Sequence, residues 1–220
     1  MLECVLFDLD GLLVDSEPLQ FRAYRYAFGQ FDIDLSMQDW TRWHSVEAST
    51  ARWIESQNLN LDVQQLRTIK KCYYDKLIGD ELQLKPGAGE LIEDCVNGQR
   101  LAVVSASRRE SIEACLDKFD LGRHFTCYVC ASEVARSRPF ADPYLATLQT
   151  LQTTADRAIA LEDSLTGLRS TGAAGLGCFI CPDHFIAKAD DAFVEADLVV
   201  DSLVELSASR LQQVHALRHS

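Results

Sequence analysis

Two aspartates at the end of an apolar run are the residues of this sequence best placed to do chemistry. The run of residues 4–7 (Cys-Val-Leu-Phe) stops at Asp8, and Asp10 and Gly11 follow, as is typical of a buried strand that enters a loop. Open α/β sheets bind ligands where their strands end, and side chains two apart along a strand point the same way. Asp8 and Asp10 could therefore act as nucleophile or metal ligand and as general acid or base. An Asp-rich turn is the alternative.

Small hydroxyl residues follow a second apolar run, residues 101–104, in the order Ser105-Ala106-Ser107. If a helix starts directly behind them, the Ser105 hydroxyl and the backbone N–H groups of Ala106 and Ser107 form a site of the size of a phosphate. Serine is also a good helix-capping residue, so simple capping is the alternative.

Two adjacent carboxylates, Glu162 and Asp163, follow a further apolar run. Such a pair is costly to bury unless it is neutralised by a partner or a cation. Together with Asp8, these residues would supply the oxygen ligands that Mg²⁺ prefers. A capping role at the start of the next helix is the alternative.

The elements that must position these residues alternate in type from residue 84 onwards. Apolar runs near 100–105, 125–130, 157–161, 177–180 and 198–200 alternate with helical patterns, which predicts an α/β fold with a doubly wound parallel sheet. Residues 15–83 show helical periodicity instead, for example at Leu19, Ala23, Tyr26 and Ala27. We therefore expect a core domain of residues 1–14 and 84–220 and an inserted, all-helical domain of residues 15–83.

Residues 8–17 have the form D-x-D-G-x-x-x-D-S-E, which resembles the opening motif of the haloacid dehalogenase superfamily, and most of all that of its β-phosphoglucomutase-like phosphatases and mutases. The resemblance implies a Rossmann-like core with a helical cap. It implies that Asp8 is the nucleophile, which forms an aspartyl-phosphate, and that Asp10 is the acid and base. Ser105 would bind the transferring phosphoryl group. The implied ligands of Mg²⁺ are Asp8, Asp163, the backbone carbonyl of Asp10, and Glu162 either directly or through water.

Residues 137–142 resemble the third motif of that superfamily, which usually reads G-K-P-x-P-D. Arg138 takes the place of the Lys that neutralises the nucleophile and the phosphate, Ser137 that of the Gly, and Ala141 that of the second Pro. Arginine keeps the charge but is larger and forked. Because of this departure, the site could be retuned, slower or inactive. Asp142 keeps its place and is expected to orient the loop. The alternative for Arg136 and Arg138 is that both belong to a solvated basic loop.

The resemblance also implies that the cap contributes to substrate binding. The candidates are Gln20, Arg22, His44 and Lys76. Trp43 stands where a Gly is expected, so its ring could narrow the pocket or stack on a sugar. Packing in the core of the cap is the alternative.

The composition of the chain limits the classes of binding partner that can be expected. The net charge is −12, from 33 acidic and 21 basic residues, which argues against nucleic acid or an anionic membrane. No apolar run reaches the length of a membrane span, and the N-terminus lacks a signal-peptide pattern. We expect a cytoplasmic, monomeric protein, and the family resemblance implies a small phosphorylated metabolite as its partner.

Eight cysteines raise a second metal hypothesis, because residues 127–130 and 178–181 both read Cys-x-x-Cys. Such pairs can hold zinc. However, both lie in strand-like runs, where residues three apart face opposite sides. We expect reduced, buried thiols instead.

Together, these patterns predict a Mg²⁺-dependent phosphatase of small phosphorylated metabolites, in particular sugar phosphates. A phosphohexomutase of the β-phosphoglucomutase type is an alternative, favoured by the Ser-Ala-Ser sequence at residue 105. A catalytically weak member of the same fold is another, although all five residues Asp8, Asp10, Ser105, Glu162 and Asp163 are in place.

Overall fold

The computed structural model describes residues 1–45, 49–183 and 193–218, apart from the side chains of residues 44 and 45. These residues divide into two compact units. The first contains Met1–Val14, Leu84–Asp183 and residues 193–218, and the second contains Asp15–Gln83.

The first unit is built on a sheet of parallel strands. Numbered in chain order, they are β1 Cys4–Phe7, β2 Arg100–Ser105, β3 Phe125–Cys130, β4 Ala158–Glu162, β5 Gly177–Ile180 and β6 Leu198–Val199. The spatial order is β3-β2-β1-β4-β5-β6, and every neighbouring pair is parallel. All four residues of β1 are buried, as is typical of a central strand in a parallel sheet that is covered on both faces, and this explains why its sequence is uniformly apolar.

Helices connect the strands and form the second unit. In chain order they are α1 Glu17–Gly29, α2 Met37–Ser45, α3 Thr50–Ser56, α4 Val63–Glu81, α5 Ala88–Cys95, α6 Arg109–Lys118, α7 Asp142–Thr150, α8 Leu165–Ala173 and α9 Ala208–Arg218. No described helix is both long enough and apolar enough to cross a membrane.

Helix α7 packs on one face of the sheet. Cys4 and Leu6 of β1 alternate along the strand and join a buried apolar cluster that includes Tyr144 and Leu148 of α7. This alternation places every second strand residue on the same face. The cluster fixes α7 beside the strands whose ends carry the candidate site.

Helices α1–α4 make up the second unit, whose described residues form no strand. Its core is aromatic, and the rings of Trp43 and Trp53 stack with centroids 5.6 Å apart. Trp43 is 6% exposed, so of the two readings of this residue the structure favours packing within the unit. Tyr26 departs from the helix face assigned to it, because it is 44% exposed and stacks on Tyr73.

The predicted parallel α/β core with an all-helical insertion is confirmed. Strands β2, β3 and β5 have the predicted limits, whereas β4 lies one residue later than expected. Glu162 is therefore the last residue of a strand rather than the first residue of a loop.

Candidate active site

Three neighbouring strands end at one edge of the sheet and carry the candidate residues. The last residue of β1, Phe7, pairs with Val103 of β2 and with Leu161 of β4. Because the three strands are parallel and in register, Asp8, Ser105 and Glu162 lie next to one another at this edge. The fold thus brings together residues that are more than 150 positions apart in sequence.

Three carboxylates form a compact acidic cluster there. Asp8, Glu162 and Asp163 are all buried, and each offers one oxygen that lies within 4.8 Å of the others. It is the one group of three or more such side chains in the described ranges that could hold a metal ion. Burying three carboxylates together is unfavourable without positive charge, and an all-oxygen donor set suits a hard divalent cation such as Mg²⁺.

Gly11 makes room for one of these carboxylates. A Cβ atom at Gly11 would lie 2.1 Å from Oδ2 of Asp163. Its φ of +82° also belongs to the left-handed region that glycine adopts without strain. The turn after Asp10 can therefore approach Asp163 only because residue 11 has no side chain. The acidic cluster is thus closely packed, and its donor atoms fit a cation.

Arg138 supplies positive charge to the cluster. Its NH2 atom donates to Oδ1 of Asp8 at 2.9 Å and to the carbonyl oxygen of Val104, and it lies 2.9 Å from Oε1 of Glu162. Burial alone would lower the pKa of Arg138, but the charges of Asp8 and Glu162 raise it well above its ordinary value. The guanidinium is therefore permanently charged in the site.

Glu162 has a closely fitted environment that the sequence did not indicate. Complete burial raises its pKa to about 8, although the charge of Arg138 acts in the opposite direction. The hydroxyl of Tyr144 donates to Oε1 of Glu162. A Cβ atom at Gly167 would lie 2.0 Å from Oε2. Tyr144 and Gly167 are thus additional residues of the site.

The serine loop after β2 contacts Asp10. The hydroxyl of Ser107 donates to Oδ2 of Asp10 at 2.7 Å, and that of Ser105 donates to the same oxygen at 3.3 Å. The backbone N–H of Ser107 donates to the Ser105 hydroxyl at 3.0 Å, and Ala106 is exposed. Helix α6 starts shortly afterwards, at Arg109. The structure therefore brings the two serines to Asp10.

Two charged residues near Arg138 pair with each other. Arg136 donates through Nε to Oδ1 of Asp142 at 2.9 Å and through NH2 to Oδ2 at 3.0 Å. The Arg136 side chain is 61% exposed, and its guanidinium lies 4.6 Å from the ring centre of Phe140. This pair ties the two ends of the loop that contains Arg138.

The candidate cap residues belong to the second unit. Arg22 forms a forked ion pair with Glu81 of the same unit. Gln20 is half-buried and Lys76 is exposed. The side chain of His44 lies outside the described residues. A substrate role for these four residues stays a prediction.

Comparison with known proteins gives one consistent result. A sequence profile of the haloacid dehalogenase-like hydrolases matches residues 5–181. Protein CbbY of Cereibacter sphaeroides is 32% identical over 94% of this chain and 94% of its own length. Hexitol phosphatase B of Escherichia coli (strain K12) is 30% identical over 94% of this chain and 95% of its own.

One solved structure similar to this chain is that of a CbbY mutant from Rhodobacter sphaeroides in complex with xylulose-(1,5)bisphosphate. It superimposes with a TM-score of 0.80 at 28% identity and covers 94% of this chain and 96% of that chain. Since the profile spans most of the sequence and the relatives nearly all of it, the predicted superfamily is confirmed. The chain belongs to the haloacid dehalogenase-like hydrolase family.

Proposed function

We propose that the protein is a Mg²⁺-dependent phosphatase of small phosphorylated metabolites, in particular sugar phosphates, and that it acts through an aspartyl-phosphate on Asp8. The observation that carries the proposal is the acidic cluster of Asp8, Glu162 and Asp163 within 4.8 Å, with Arg138 bonded to Asp8. A nucleophilic carboxylate beside fixed positive charge is what transfer of a phosphoryl group requires.

Asp8 attacks the phosphorus atom of the substrate. Its Oδ1 is held by the backbone N–H of Leu9 at 2.7 Å and by Arg138 at 2.9 Å. Oδ2 accepts no hydrogen bond from the described residues, so we assign the attack to Oδ2. A bond forms between this oxygen and phosphorus, and the ester bond between phosphorus and the leaving oxygen breaks. Asp10 donates a proton to the leaving oxygen.

Hydrolysis of the aspartyl-phosphate returns the enzyme to its starting state. Asp10, now ionised, takes a proton from a water molecule while the water oxygen attacks phosphorus. The bond between phosphorus and Asp8 breaks, inorganic phosphate leaves, and Asp10 is again protonated. Ser105 and Ser107, which donate to Asp10, hold its carboxylate beside the site of the reaction.

Charge on the phosphoryl oxygens must be neutralised before a carboxylate can attack. Bound Mg²⁺ would supply part of this charge. Its ligands would be the carboxylates of Asp8, Glu162 and Asp163 and the backbone carbonyl of Asp10. Arg138 adds a fixed charge, and the N–H of Ala106 would bind a phosphoryl oxygen. The Ser105 hydroxyl and the Ser107 N–H would also bind the phosphoryl group, and to do so they would exchange their present acceptors, Asp10 and the Ser105 oxygen, for phosphoryl oxygens.

The relatives support the substrate class. One is named a hexitol phosphatase, and another was crystallised with a sugar bisphosphate. The sequence Ser105-Ala106-Ser107 supports a second candidate function, that of a phosphohexomutase. The two reactions differ only in the acceptor of the phosphoryl group, which is water in the phosphatase and a second hydroxyl of the sugar in the mutase.

The test is phosphate release from a panel of sugar and polyol phosphates, with Mg²⁺ and with a chelator. We expect turnover with Mg²⁺, none with the chelator, and none in Asp8→Asn. The matched control is Asp34→Asn, because this carboxylate is 77% exposed and lies in the second unit. Isomerisation of a sugar phosphate without phosphate release would favour the mutase. A folded wild-type protein that does neither would contradict the proposal.

A further inference from the structure

Tyr144 is a buried polar residue that the reaction described above does not use. It lies on α7 and is 0% exposed. Its hydroxyl donates to Oε1 of Glu162, the last residue of β4. A buried tyrosine hydroxyl needs a partner, because water cannot reach it. The partner here is a carboxylate of the candidate metal site.

The carboxylate of Glu162 is enclosed by three different groups. The first is the Tyr144 hydroxyl. The second is the guanidinium of Arg138, whose NH2 atom lies 2.9 Å from Oε1. The third is the backbone of Gly167, where a Cβ atom would lie 2.0 Å from Oε2. This enclosure leaves the carboxylate little freedom to rotate.

Arg138 cannot fix this carboxylate by itself. The same NH2 atom also contacts Asp8 and the carbonyl oxygen of Val104, so its two hydrogens are shared among three acceptors. The contact of NH1 with Oε2 of Glu162 is long, at 3.5 Å. Tyr144 donates its single hydroxyl hydrogen to Glu162 alone. It therefore fixes the orientation of the Glu162 carboxylate, which the shared contacts of Arg138 do not determine.

We infer that Tyr144 is a positioning residue, which holds the carboxylate of Glu162 in the orientation needed to bind a divalent cation. The inference rests on the proposed function in one respect, namely that the cluster of Asp8, Glu162 and Asp163 is the Mg²⁺ site. Groups that orient a metal ligand through a hydrogen bond typically change metal affinity by about 10- to 100-fold when they are removed.

The first experiment measures the affinity of the substrate-free protein for Mg²⁺ by isothermal titration calorimetry. Tyr144→Phe keeps the buried ring and removes the hydroxyl. We expect it to bind Mg²⁺ about 10-fold more weakly than the wild type. The matched control is Tyr128→Phe, which loses a hydroxyl that donates to the Gly122 carbonyl at 3.0 Å. The control should keep wild-type affinity, and unchanged affinity in Tyr144→Phe would overturn the inference.

A double-mutant cycle separates positioning from a general loss of structure. If Tyr144 acts through Glu162, its hydroxyl has no further effect once Glu162 is replaced. In the Glu162→Gln background, Tyr144→Phe should therefore change the Mg²⁺ affinity by less than about 2-fold. A similar loss in both backgrounds would show that Tyr144 acts by another route and would overturn the inference.

These measurements need no substrate, so their outcome is separable from that of the proposed function. A wild-type protein that binds Mg²⁺ but releases no phosphate would contradict the phosphatase and leave the role of Tyr144 supported by the cycle. If the wild type hydrolyses sugar phosphates and Tyr144→Phe binds Mg²⁺ as tightly as the wild type, the proposed function is supported and the role of Tyr144 is contradicted.

Discussion

At the scale of single residues, Arg138 sets this site apart from the motif that it resembles. A lysine at this position would bring one nitrogen on a flexible stem, whereas the planar guanidinium places its NH2 atom against Asp8, Glu162 and the Val104 carbonyl at once. Its side chain is 11% exposed, so the ion pairs are shielded from solvent. One side chain is therefore in contact with residues at the ends of three strands, mainly through one nitrogen, and NH1 adds a long contact of 3.5 Å to Oε2 of Glu162.

This arrangement predicts an unequal effect of two substitutions on stability. Arg138→Met leaves Asp8 and Glu162 buried without their common partner and should lower the free energy of unfolding by about 3 kcal/mol. Arg138→Lys keeps the charge and loses only part of the hydrogen bonding, which costs about 1 kcal/mol. Urea unfolding in the presence of a chelator measures both values. Equal losses would show that the charge of Arg138 is not what stabilises this site.

At the scale of elements, the junction of β4 and α8 carries two of the proposed Mg²⁺ ligands. Glu162 ends the strand and Ser164 caps the helix, its hydroxyl accepting from the backbone N–H of Gly167 at 3.1 Å. This N-terminal cap of α8 holds the first turn of the helix close to Glu162, so that only glycine fits at position 167. The bond that caps α8 therefore also limits where the carboxylate of Glu162, a proposed metal ligand, can lie.

Two glycines of α8 test this relation. Gly167→Ala should destabilise the protein by about 1–3 kcal/mol, because the new methyl group overlaps the carboxylate of Glu162. Gly172→Ala lies on the same helix and meets nothing within 4 Å, so it should be neutral or stabilising by up to about 1 kcal/mol. Thermal unfolding of both variants gives the comparison. A stable Gly167→Ala with unchanged Mg²⁺ affinity would contradict the tight packing at Glu162.

At the scale of the whole molecule, the apolar runs were sufficient to predict the sheet. Every residue of the uniformly apolar strands β1 and β5 is buried, as is typical of parallel sheets that are covered on both faces, so the limits of these strands can be predicted from composition. The limit of β4 was misplaced because Glu162 is charged, and the burial of a charged residue depends on partners distant in sequence. For a related reason, the periodicity that groups Tyr26 with Leu19, Ala23 and Ala27 on one helix face does not show that Tyr26 is 44% exposed: spacing along a helix does not show which part of a face a neighbouring helix covers.

The site was predictable only in part. Asp8, Glu162 and Asp163 were found because they end apolar runs, and parallel strands bring such ends together. Tyr144 gave no such signal, since it lies in an apolar helix and meets Glu162 only through tertiary packing. The sequence did not indicate a role for Gly167 either, because this residue matters only through the space that the Glu162 side chain occupies beside it.

The distribution of thiols over the molecule gives a further prediction. Of the eight cysteines, Cys72 is exposed and Cys127 is half-buried, and the other six are buried. Burial raises the pKa of both Cys95 and Cys115 to about 12, so these thiols remain protonated near neutral pH and react slowly.

A disulfide reagent at pH 8 should therefore label one thiol rapidly in the native protein and eight after denaturation. Cys72→Ser should remove the rapid phase. Fewer than eight thiols in the denatured, unreduced protein would mean that a disulfide has formed. Rapid labelling of several thiols in the native state would contradict the burial seen in the first unit.

The most direct test of the central claim is to locate the phosphoryl group on the protein during turnover. The wild-type enzyme is mixed with Mg²⁺ and a sugar phosphate substrate, quenched in acid within the first turnover, and mapped by peptide mass spectrometry. We expect one phosphoryl group on Asp8, which is absent with a chelator and absent in Asp8→Asn. Turnover in the same samples with the phosphoryl group on another residue, or with none on the protein, would contradict it.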